Sequence, residues 1–150
     1  TLRMKRLSPV SLGDIDGSNT DLPRAAEHDR TSGVQSTLWI WEMRMLRGEL
    51  GDREAAATDL AKARSTKASD PLDQLYVSIC RGELSAEEVL TKPKNEREWF
   101  FVYYYLGAKA LVDGRAAEAE DWFKKCVAIG QNRTQEFDLA RWHLERLASR

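Results

Sequence analysis

The stretch Phe100–Gln131, FFVYYYLGAKALVDGRAAEAEDWFKKCVAIGQ, decides the fold. Tyr103, Leu106, Gly107 and Ala110 recur at helical spacing, and Asp113-Gly114 interrupts them with a turn signal. Ala119, Phe123 and Cys126 then resume the same rhythm. Two amphipathic helices joined by a tight turn must pack on each other, because neither can bury its apolar stripe alone. Large residues on one helix then fill the space opened by small ones, here Gly107 and Ala119, where the helices approach.

Working outward, the same pattern weakens but persists. Placing Gly51 in register with Gly114 sets Ile40, Met43, Ala56, Leu60 and Ala63 against Tyr103, Leu106, Ala119, Phe123 and Cys126. A first hairpin is therefore expected over 37–65, degenerate because Arg44 and Arg47 occupy the Gly107 and Ala110 slots. Asp70-Pro71 is an N-cap and first helical residue for a second hairpin, with Leu72, Leu75, Tyr76 and Ile79 as its stripe and Gly82 as its stop. Ser85-Ala-Glu-Glu88 predicts a capping box for a short partner helix, ended by Lys92-Pro93-Lys94. Asn95 is expected to cap the Phe100 helix with Glu98 reaching back to it, and Gly130 to end the helix that follows. Thr134 opens a last helix whose stripe is Phe137, Ala140, Leu144 and Leu147, with Arg141, Glu145, Arg146 and Ser149 outward.

These positions resemble the tetratricopeptide repeat, whose aromatic-x-x-Leu-Gly-x-x-Tyr and Ala-x-x-x-Phe elements recur with a period of roughly 34 residues. Tyr103, Leu106, Gly107, Ala110, Ala119 and Phe123 carry that resemblance. It implies an all-α fold: a right-handed α-α superhelix of about three hairpins over 37–150, closed by the last helix as a C-terminal cap. Residues 1–36, rich in Ser, Gly, Asp and Pro, are expected to be an irregular extension. From Asp70 to Leu147 the layout is also similar to the C-terminal half of bacterial tetratricopeptide lipoproteins that act as envelope adaptors. That leaves the compartment open between the cytoplasm and the bacterial envelope.

Composition bounds the function. A chain of 150 residues with 42% hydrophobic and 31% charged residues fits one globular domain. Its formal charge of −1 argues against nucleic acid as a partner, and no apolar run reaches transmembrane length. The chain opens at Thr1, so a processed product or an excised piece is expected, with any signal or lipid-attachment Cys outside it. Cys80 and Cys126 stand apart and read as buried thiols, which leaves no disulfide framework. Asp14, Asp16 and Ser18 suggest a calcium loop, but Asn19 fills its glycine slot and Ala25 its terminal Glu slot, so a solvated turn is the better account. No metal and no cofactor is expected.

Catalytic signals are thin. The two histidines, His28 and His143, belong to no nucleophile motif, and Glu87-Glu88 and Glu118/Glu120 read as solvated helix faces. A Cys126–His143 pairing is weighed against a structural Cys in a small-residue slot, and the second is preferred. An enzyme is not expected. Binding is, because the concave face of such a superhelix is an extended groove lined by the first helix of each repeat. The resemblance places Trp41, Met45, Val77, Tyr104, Ala108, Leu111 and Trp142 on that face as peptide-binding residues. The Lys/Asn and Lys/Arg carboxylate clamp of the chaperone-binding branch is absent, since Trp41, Met45, Tyr104 and Ala108 stand there. An apolar or amphipathic protein segment is therefore the expected partner. Tyr103 is assigned to the core and Tyr104 to the groove. Two other readings stand beside this one: a regulatory or substrate-recruiting segment of a larger multidomain enzyme, and self-association through the aromatic stripe.

Overall fold

The computed structural model describes residues 33–67 and 71–149. Among these, every regular element is a helix, and there are seven: α1 (Gly33–Arg47), α2 (Asp52–Ser65), α3 (Asp73–Arg81), α4 (Ala86–Val89), α5 (Glu96–Val112), α6 (Ala116–Ile129) and α7 (Gln135–Ala148). The all-α expectation holds. None of them is long and apolar enough to cross a membrane. The extension expected up to residue 36 and the turn at Asp14 lie outside the described residues as far as residue 32, and α1 already begins at Gly33. Asp70, the expected cap of α3, also lies outside them.

The chain divides into two compact units, with the boundary between Val77 and Ser78 inside α3. In the first, α1 packs on α2. Gly51, at φ 87°, turns the chain between them in the left-handed region that glycine enters freely. The arginines that make this hairpin look degenerate are its fasteners. Arg44 Nε donates to Asp59 Oδ2 at 2.9 Å, and Arg47 Nε donates to Asp52 Oδ2 at 2.8 Å. A second Arg47 nitrogen donates to Asp52 Oδ1, so the guanidinium grips the carboxylate with two parallel bonds. Asp52 also accepts from the backbone N–H of Glu49 at 2.8 Å, which ties the turn to the pair. Arg47 and Asp52 are both buried, with side chains 7% and 3% exposed, so this ion pair lies in the hairpin interface rather than on its rim. Gln74 in α3 closes the unit on the end of α2, donating to the Ala63 carbonyl at 3.2 Å and accepting from Arg64 at 3.0 Å.

In the second unit α5 packs on α6 and α6 on α7, while α7 touches α5 only marginally. Here the expected small-residue contact is present. A Cβ added at Gly107 would stand 2.7 Å from Phe123 Cε1, so only glycine lets the ring approach the α5 backbone this closely. Ala110, Ala119, Phe123 and Cys126 are all fully buried. Where α1–α2 uses charge to join its helices, α5–α6 uses close backbone approach.

The caps follow the sequence closely. Ser85 and Glu88 form the expected capping box, Thr134 Oγ1 accepts from the Phe137 N–H at 3.1 Å, and Gly130 ends α6 at φ 85°. Asn95 Oδ1 accepts from the Glu98 N–H at 3.0 Å, but the Glu98 carboxylate turns to the Lys94 N–H at 2.8 Å instead of that of Asn95. The stripe of α7 needs correction. Phe137 and Leu144 are only half-buried, and the buried face is Glu136, Leu139, Ala140, His143 and Leu147, with Trp142 beside it. The His143 ring stacks on Phe123, with centroids 4.8 Å apart and planes 17° apart, and that contact sets the rotation of the helix. Arg141, Glu145, Arg146 and Ser149 do face outward, as expected.

Candidate functional site

Of the seven residues expected to line a groove, five are buried. Trp41 and Val77 in the first unit, and Tyr104, Ala108 and Trp142 in the second, are at most 3% exposed. Met45 and Leu111 alone keep partial exposure. The burial of Tyr103 and Tyr104 runs opposite to the expected order. Tyr104 is 1% exposed and packs against Phe123 at 5.7 Å and edge-on against Tyr105 at 5.3 Å, whereas Tyr103 is only half-buried. The reason is geometric: consecutive residues on a helix point about 100° apart, and α6 presents Phe123 to one of them and Trp122 to the other.

Phe123 joins the two buried aromatics indirectly, touching Tyr104 on α5 and His143 on α7. Trp142 leans on His143 at 5.0 Å and carries the Arg146 guanidinium over its ring at 5.0 Å. Its indole N–H is buried with no hydrogen-bond acceptor among the described residues, an uncompensated polar group in a packed position. Cys126 lies beneath the same interface. Burial, with the Glu136 carboxylate adding to it, pushes its thiol far above the ordinary thiol range, so it carries no thiolate at neutral pH. That fits the structural role preferred for it over a Cys–His pair. No group of three His, Cys, Asp or Glu side chains is placed to hold a metal among the described residues.

The surface feature that sequence reasoning missed lies on the other side of the same hairpin. Trp99, Tyr103 and Trp122 are each half-buried and form a continuous ladder. Trp99 and Tyr103 have centroids 5.5 Å apart and planes 35° apart, and Tyr103 and Trp122 stack at 5.8 Å and 22°. Lys125 Nζ hangs over the Trp122 ring at 4.9 Å and reaches Tyr103 at 6.0 Å. Trp122 is oriented by its indole N–H, which donates to Glu118 Oε2 at 3.4 Å, and Glu118 is itself held by Arg115 at 2.8 Å. A signal was available. Trp99 and Tyr103 stand four residues apart on α5, and Trp122 and Lys125 three apart on α6, spacings that set side chains on one helix face.

Fold and site together define an all-helical protein with repeat-like hairpins. No family model, no curated protein and no solved structure matches the chain.

Proposed function

We propose that the chain is a non-catalytic scaffold of the tetratricopeptide kind, which binds a protein or peptide segment on its helical hairpins. The observation that carries this reading is the contact of Gly107 with Phe123 in α5–α6. Signature residues at signature spacing make the close helix approach that the repeat requires. In that reading the hairpins stack as a right-handed superhelix with α7 as its cap, and α7 does carry a polar outer face suited to ending a stack. Met45 on α1 in the first unit and Leu111 on α5 in the second each keep partial exposure, and each is available to a partner within its own unit.

Selection of a random dodecapeptide phage library on the immobilised chain tests the proposal. Enrichment of related peptides is expected, with capture reduced by Met45→Asp or Leu111→Asp in variants whose helical circular dichroism is intact. A library that stays unenriched after repeated rounds sinks the scaffold reading.

A further inference from the structure

We draw no further inference here: the strongest candidate, the half-buried ladder of Trp99, Tyr103 and Trp122 on α5–α6, is bordered by exposed charges of both signs, Lys125 with Asp121 and Glu96, and nothing in the structure shows what covers it.

Discussion

At the scale of single residues, two positions show how one hairpin plan is met by different chemistry. Gly107 has no substitute in its place, because a methyl group there would stand 2.7 Å from the Phe123 ring and that ring is fully buried with nowhere to retreat. Gly107→Ala is expected to destabilise the protein by roughly 1–3 kcal/mol in urea denaturation despite alanine's better helix propensity. In the first hairpin Arg44 fills that slot, and Arg47, in the Ala110 slot, reaches Asp52 on the next helix. Its hydrogen bonds hold the Asp52 carboxyl below the usual aspartate range, aided by the Glu49 N–H and opposed by burial. A carboxyl with a lowered folded pKa contributes stability above the unfolded value of about 3.9 and loses it as pH falls through the folded value. Wild type is therefore expected to exceed Asp52→Asn by roughly 1–3 kcal/mol at neutral pH. The gap should close below about pH 4, and thermal unfolding of both proteins across pH 2.5–7 measures it.

At the scale of elements, short helices depend on their ends. The four-residue α4 has one turn of backbone bonding, and the capping box of Ser85 and Glu88 supplies donors and acceptors that its length cannot. The Ser85 N–H, and then its hydroxyl, hold the Glu88 carboxyl below the ordinary range. Ser85→Ala is expected to cost about 1 kcal/mol overall. Amide exchange should speed up first in 86–91 and leave α5 and α6 protected. Thr134→Ala is expected to cost a similar amount at α7, where the hydroxyl accepts from Phe137. The Phe137 amide itself should become the fastest-exchanging of that turn.

For the molecule as a whole, the buried thiols are reporters of opening. Cys80 and Cys126 both lie in the second unit and are at most 1% exposed. An enclosed thiol reacts only when its surroundings open, so alkylation of the native protein should be slow at both. The two rates should rise together with urea below the midpoint, as mass spectrometry of iodoacetamide adducts would show. Rapid labelling of Cys126 alone in native buffer would contradict the packing of α6 against α7.

The sequence by itself determined the helices, their turns and most of their caps, because these depend on residues three or four apart and on glycines at defined φ. It also determined that α5 and α6 meet at Gly107, since only a close approach accounts for glycine in a helix facing a phenylalanine. Only the tertiary structure decided which side of each stripe is covered. Tyr103 and Tyr104 are neighbours with the same chemistry, and periodicity could not say which of them Phe123 would bury. The same limit made Arg44 and Arg47 look like losses of pattern, although their partners, Asp59 and Asp52, become visible once α2 is folded back. It also moved the candidate surface from Tyr104 and Trp142 to the ladder of Trp99, Tyr103 and Trp122. Stacking across two helices is a long-range property, and no local spacing encodes the rotation of one helix against another.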